Sequence, residues 1–205
     1  SGGMSTRLRA IATETLAVLD AGEYHAPSGA VVPLAAPVAA AVAGTVLHLP
    51  DHNLSTGTGG ERPAAIEVTG ESTLVAAQRL AQDGPVAALV FASARNPGGG
   101  FRTGAQAQEE SVARGSALYP CLTSVPEFYA HHRAHADLLY SDRVIYSPGV
   151  PVFRDDRGRF LEEPYLASML TAAAPNRGAI ERTQPASVDR IDAVLAGRAR
   201  RVLEV

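Results

Sequence analysis

The sequence predicts an α/β fold on a mixed central sheet, and three observations carry that expectation. Residues 86–92 form a short apolar run rich in strand formers, the pattern of a strand buried on both faces. Strand-like and helix-like stretches alternate along the chain with no internal repeat. With 205 residues and 46% apolar content, the chain can bury one good core and reads as a single domain.

The elements follow in order. Residues 5–21 read as an amphipathic helix through Leu8, Ile11, Ala12, Leu16 and Leu19, stopped by Gly22, and this is an added helical region ahead of the α/β core. Ser1-Gly2-Gly3 before Met4 resembles an expression scar, so residues 1–4 are set apart and the domain is expected over 5–205. A short strand is expected at 31–34, a helix at 35–43, a polar Gly-rich loop at 51–60 and a strand at 64–69. A helix at 72–82, ended by Gly84-Pro85, leads into the 86–92 strand, which is expected at the sheet's centre. Beyond it, helices are expected at 105–122, 126–137 and 186–204. Strands are expected at 143–146 and 165–173, with a polar hairpin turn at 154–159.

The motif with most chemical content lies just after the 86–92 strand. Asn96-Pro97-Gly98-Gly99-Gly100 sits in a loop leaving the strand's C-terminal end, the edge of an α/β sheet where ligands bind. Three glycines reach positive φ and carry no Cβ, so their amides can converge on an anion such as a diphosphate. By itself such a triplet is more often a tight turn. Seven residues later come Gln108-Glu109-Glu110, in the first turns of a helix. Acidic residues there complement the helix dipole by up to about 1 kcal/mol, which needs no catalytic explanation. Adjacent helical residues point about 100° apart, however, so Glu109 and Glu110 are not expected both to face away from the glycines. A carboxyl partly desolvated beside a second carboxylate and a phosphate has its pKa raised and can serve as a general acid.

The segment from Phe91 to Ser111 resembles the signature of bacterial-type poly(ADP-ribose) glycohydrolases, catalytic members of the macrodomain superfamily. The resemblance continues through Val144–Arg154 and through Thr171-Ala172-Ala173-Ala174-Pro175-Asn176, covering most of 5–205. It implies a macrodomain-like three-layer α/β/α fold. It also implies hydrolysis of the ribose–ribose O-glycosidic bond of poly(ADP-ribose), releasing ADP-ribose, with no metal and no cofactor. By position, Glu110 resembles the catalytic acid, Glu109 a ribose-orienting carboxylate that also stabilises nearby positive charge, Asn96 a ribose contact and Gly98, Gly99 and Gly100 the diphosphate loop. Gln108, of the same signature, is expected to bind substrate, and Phe101 is expected either to close over the phosphates or to anchor the loop. Glu71 stands where macrodomains place an acidic adenine-reading residue, although an ordinary helix N-cap region accounts for it equally. Such folds close the cleft with a second, later Gly-rich loop after another strand. The resemblance stops at a helix before that strand, so the domain is expected to be incomplete at its C-terminus.

Two other functions share this cradle: a non-catalytic ADP-ribose-binding macrodomain, and a hydrolase of a mono-ADP-ribosyl derivative. The paired glutamates favour the polymer hydrolase. The formal net charge of −3 argues against direct DNA binding, so poly(ADP-ribose) and ADP-ribose are the expected ligands, held by a monomer. The single cysteine, Cys121, allows no intrachain disulfide and no cysteine zinc cluster, and a cytoplasmic location is expected. No run of about 18 apolar residues occurs, so no membrane span is expected. Glu127, His131 and His135 share a helical face, but they are read as a solvated face and not as a metal site.

Overall fold

The computed structural model describes residues 2–54 and 63–205. In chain order its elements are α1 (Gly2–Ala21), β1 (Glu23–His25), β2 (Val31–Pro33), α2 (Ala35–Gly44), β3 (Val46–His48), α3 (Thr73–Ala81), β4 (Ala87–Phe91), α4 (Gln108–Gly115), α5 (Leu118–Thr123), α6 (Pro126–Ala134), β5 (Val144–Arg154), β6 (Phe160–Ala172), α7 (Arg177–Thr183) and α8 (Ile191–Glu204). The main sheet has the order β3-β5-β6-β4, with β4 parallel to β6 and the other pairs antiparallel, so it is mixed as expected. β1 and β2 form a separate antiparallel ribbon.

Alternation along the strands assigns the layers. Ile145, Val150, Met169 and Val90 face a core shared with Leu74 of α3, Val112 of α4, Leu118 and Leu122 of α5, and Phe128 of α6. Val144, Leu170 and Ala172 point the other way and meet Val202 of α8. The result is helices on both faces of the sheet. α1 lies outside these layers and is fixed by Arg154, whose buried guanidinium donates to Ile11 O, Thr15 Oγ1 and Glu14 Oε1. Its Ala12 packs on Phe101 and Ala113, so the N-terminal helix buttresses the Gly-rich loop. No helix among the described residues is long and apolar enough to cross a membrane.

Several expectations need correction. Among the described residues the 86–92 strand is not central: β4 stands at the edge of the described sheet, with Phe91 64% exposed. Residues 64–69 form no strand, with Ile66 and Val68 91% and 94% exposed; strand propensity without a ladder partner among the described residues leaves coil. The expected 105–122 helix is two. Ser116 breaks it by accepting from Leu118 N–H and donating to Val112 O, while the Ala117 amide bonds Pro151 O across to β5. β5 runs through Pro148 and Pro151 by means of a register shift between Ser147 and Val150, which is why proline did not end it. α1 starts at Gly2, ahead of the expected residue 5. The expected 186–204 helix opens with a 3-10 turn before α8. The second half of the loop expected at 51–60 lies outside the described residues.

Candidate active site

The Gln108-Glu109-Glu110 triplet opens α4, and each of its three side chains accepts one backbone N–H. Phe91 N–H donates to Gln108 Oε1 (2.9 Å), Ser93 N–H to Glu109 Oε1 (2.8 Å) and Gly100 N–H to Glu110 Oε1 (3.1 Å). Three consecutive side chains thus hold the end of β4, its exit and the Gly-rich loop. Ser93 and the carbonyl of Leu89 are members of this arrangement that the sequence reading missed. Their signal was the strand's own alternation, since odd-numbered backbone groups of β4 point away from β6.

The glycines serve these carboxylates. Gly98 and Gly99 have φ of +71° and +59°. A Cβ on Gly99 would overlap Glu110 Oε1 and lie 3.1 Å from Glu109 Oε1, so both glutamates converge on this one residue. The Gly99 amide bonds Asn96 O (2.9 Å) and the Gly100 amide bonds Glu110. The expected cradle of three free amides is therefore already partly engaged within the protein. Phe101 is 0% exposed and lies under the loop, where a Cβ on Gly98 would be 2.8 Å from its ring. Of its two expected roles, its side chain takes that of anchor. It packs against Tyr119, with ring centroids 5.1 Å apart.

Electrostatics separates the two glutamates. Glu109 is 2% exposed, and its Oε2 has no partner among the described residues. Burial pushes its carboxyl up to about 8, opposed by the Ser93 amide and reinforced by the Glu110 charge. Burial thus favours the neutral form of Glu109, whose Oε2 is placed to donate a hydrogen bond. Tyr129 of α6, also buried with an unpartnered hydroxyl, feels the Glu109 charge, and its own ionisation is driven up chiefly by burial. Glu110 is half-buried.

Two clefts flank the triplet. One, of about 540 Å³, is lined by Ser93, Arg95 and Asn96 after β4 and by Ala174, Asn176 and Arg177 after β6. Asn96 is exposed there. The parallel β4–β6 pair thereby joins two segments that are far apart in sequence, 91–111 and 171–176. The other cleft, of about 430 Å³, is lined by Glu71, Ser72, Thr73, Gln106, Gln108 and Asp156, among others. Glu71 stands at its rim beside the α3 N-cap Ser72, with its carboxylate held by Arg79 at 2.6 Å. His131 of α6 and His135, the residue that caps its C-terminus, stack with centroids 4.1 Å apart. Among the described residues no three His, Cys, Asp or Glu side chains are grouped to hold a metal.

A mixed α/β/α domain with a Gly-rich loop and paired carboxyls at the C-terminal end of a strand defines a ligand-binding α/β hydrolytic domain of macrodomain type. The family described as microbial-type PARG, catalytic domain, matches residues 12–155. Poly(ADP-ribose) glycohydrolase from Thermomonospora curvata is similar at 53% identity and a TM-score of 0.91, over 97% of this chain and 74% of that one. The same protein bound to the inhibitor ADP-HPD aligns at 51% identity, with the same coverage and a TM-score of 0.87. Poly(ADP-ribose) glycohydrolase from Deinococcus radiodurans in complex with ADP-ribose aligns at 43% identity over 82% of this chain and 70% of that one, with a TM-score of 0.73. No functionally curated protein matches. The chain belongs to the microbial-type PARG catalytic-domain family, and its enzyme class is that of a glycosidase, poly(ADP-ribose) glycohydrolase.

Proposed function

We propose that residues 5–205 belong to one catalytic domain that removes ADP-ribose from poly(ADP-ribose), with Glu110 as general acid and base. The observation that carries this reading is the convergence of Glu109 and Glu110 on Gly99, in the loop that follows β4. Cleavage breaks the bond between the ribose C1″ and the 2′-oxygen of the preceding unit, and the electron pair leaves with that oxygen. Glu110 gives the oxygen its proton; as carboxylate it then takes a proton from the water that adds to C1″. The oxocarbenium-like character of the transition state is met by the substrate's own diphosphate and by the Glu110 carboxylate as it forms.

Accessibility supports giving Glu110 the proton-transfer role. It is half-buried and can exchange its proton with water between turnovers, whereas Glu109 is sealed and stays on the Ser93 amide. Glu109, kept neutral, donates a hydrogen bond to a ribose hydroxyl and orients the ring. Asn96, Gly98, Gly99 and Gly100 border the ribose and diphosphate, and the cleft beside Glu71 and Gln108 receives the adenine end. The enzyme is read as a cytoplasmic monomer that needs no metal or organic cofactor and does not bind DNA directly.

The test is release of ADP-ribose from labelled polymer by the chain and by Glu110→Gln. That substitution keeps an acceptor for the Gly100 amide but cannot transfer a proton. The variant is expected to lose on the order of 10²- to 10⁴-fold in kcat while still binding ADP-ribose. Retention of full activity would move the proton transfer to another group.

A further inference from the structure

We infer that Tyr129 is a positioning residue for Glu109, its hydroxyl holding the second oxygen of that carboxyl while the Ser93 amide holds the first. This rests on the proposed hydrolysis and adds to it the group that fixes the plane of the ribose-orienting carboxyl.

Three consecutive residues at the exit of β4 bring α4 and α6 together here. Ser93 N–H donates to Glu109 Oε1, Ala94 packs in the core cluster that holds both Val112 of α4 and Tyr129 of α6, and Arg95 Nε donates to the His132 carbonyl of α6 at 3.3 Å. Val112 follows Glu109 by three residues, so the two share a helical face. Tyr129 and His132 are also three apart, and both are buried. The Glu109 carboxyl therefore lies between the strand exit and the Tyr129 face of α6.

Within that enclosure two polar atoms lack a partner. Tyr129 is 1% exposed and packs edge-on to Phe128, with ring centroids 4.9 Å apart, and its hydroxyl makes no hydrogen bond among the described residues. Glu109 Oε2 makes none either. Both atoms are closed off from solvent, so bulk water answers neither, and a buried tyrosine hydroxyl ordinarily carries a hydrogen bond. Burial and the Glu109 charge keep the phenol protonated. Its O–H is thus a standing donor, and Glu109 Oε2 is an acceptor in the same enclosure. His132, one turn further along α6, is committed elsewhere: its Nε2 meets Ser141 Oγ at 2.7 Å, and its ring stands edge-on to Phe128 and Tyr140. A turn of the carboxyl about its bond to Ser93, or one enclosed water, closes the pair.

The consequence is for orientation. Held at Oε1 alone, the carboxyl can swivel about its last torsion, which is broad for a glutamate. Held at both oxygens, it presents its proton in one direction.

The experiment compares the wild type, Tyr129→Phe, Glu109→Ala and the double variant. Steady-state release of ADP-ribose from labelled polymer is read in the first two, and urea midpoints in all four. Tyr129→Phe removes one oxygen and keeps the ring, so a purely packing role would leave kcat unchanged. Instead kcat should fall by on the order of 10-fold with KM changed less than about 2-fold, because the carboxyl is loosened against a substrate that still binds. The urea midpoint should drop in Tyr129→Phe. Made in the Glu109→Ala background, the same change should leave the midpoint level or raise it, since the hydroxyl has already lost its partner. Wild-type kcat in Tyr129→Phe, a rise in KM at unchanged kcat, or equal midpoint shifts in the two backgrounds would each overturn the inference. If a Tyr129 variant fails to fold, fluorine NMR spectra of the fluorotyrosine-labelled wild type and Glu109→Ala decide: a solvent-shielded tyrosine signal should move, and unmoved signals would overturn the pairing. If the wild type releases no ADP-ribose, the functional reading has failed, and the midpoint cycle still reports on the pair.

Discussion

Glu110 lies directly over Gly99, so close that a Cβ on that glycine would overlap the Glu110 carboxylate. The same glycine has a φ of +59°, a conformation that an L side chain rarely adopts. The absence of a side chain at this point is thus what lets the two carboxyls meet the loop.

Gly99→Ala should accordingly separate activity from folding. The positive φ costs about 1–2 kcal/mol, a loss a domain of this size tolerates. The added methyl displaces Glu110 from its position and should lower kcat by on the order of 10²-fold. Thermal unfolding and ADP-ribose release on the same preparation check both; unchanged kcat would show that the glutamates do not act from this position.

Phe101 gives the complementary case. It is wholly buried under Gly98 and against Tyr119, Ala12 and Ala113, so Phe101→Ala should destabilise the domain by about 3–5 kcal/mol. Phe101→Leu, which keeps most of the volume, should retain most of the activity. Urea titrations of the two variants decide the matter: an alanine variant of native stability with weakened ADP-ribose binding would mean that the ring touches the ligand.

How far these features could be seen in advance depended on how local their cause was. The glycine–glutamate spacing is local, and the presence of a helix carrying Gln108, Glu109 and Glu110 in its first turns, the 154–159 turn and the mixed sheet were all legible. What pairs with what was not. β3 and α7 are short, and β3 draws its order from pairing with β5, a relation absent from its own residues. The run at residues 86–92 looked central because Leu89 and Phe91 are apolar, yet they lie exposed on an edge strand. Phe101 and Glu109 show the same limit, because burial of one and protonation of the other depend on α1 and on the exit from β4.

Arg154 is a further point where sequence distance conceals a contact. Its guanidinium, 4% exposed, links the 154–159 turn to α1 through Gly158 O, Ile11 O, Thr15 and Glu14, and covers the Phe160 ring at 4.3 Å. Arg154→Ala should cost about 1–3 kcal/mol, since it leaves the buried Thr15 hydroxyl and the Ile11 and Gly158 carbonyls without this donor. Arg154→Lys should recover little, because an ammonium cannot span acceptors placed for a planar fork. Denaturant midpoints of both variants test this, and a lysine variant close to wild type would count against the fork geometry.

The raised Glu109 carboxyl makes stability depend on pH with a definite sign. An ordinary glutamate titrates near 4.5, and in the fold this one is raised to about 8. Between those values the native state holds a proton that the unfolded chain has released, so stability falls as pH rises through the window and levels off above it. His132 slopes the other way. Burial lowers it from 6.5 to about 4, so its contribution grows with pH from about 4 and is complete only about a unit above 6.5, once the unfolded imidazole has lost its proton. The interval from about 7.5 to 8.5 therefore isolates Glu109. Urea midpoints should fall across that interval in the wild type and stay nearly level in Glu109→Gln, which keeps the acceptor for Ser93 N–H but carries no titrating group. Parallel slopes in the two proteins would place the proton elsewhere and return Glu109 to the role of a charged carboxylate.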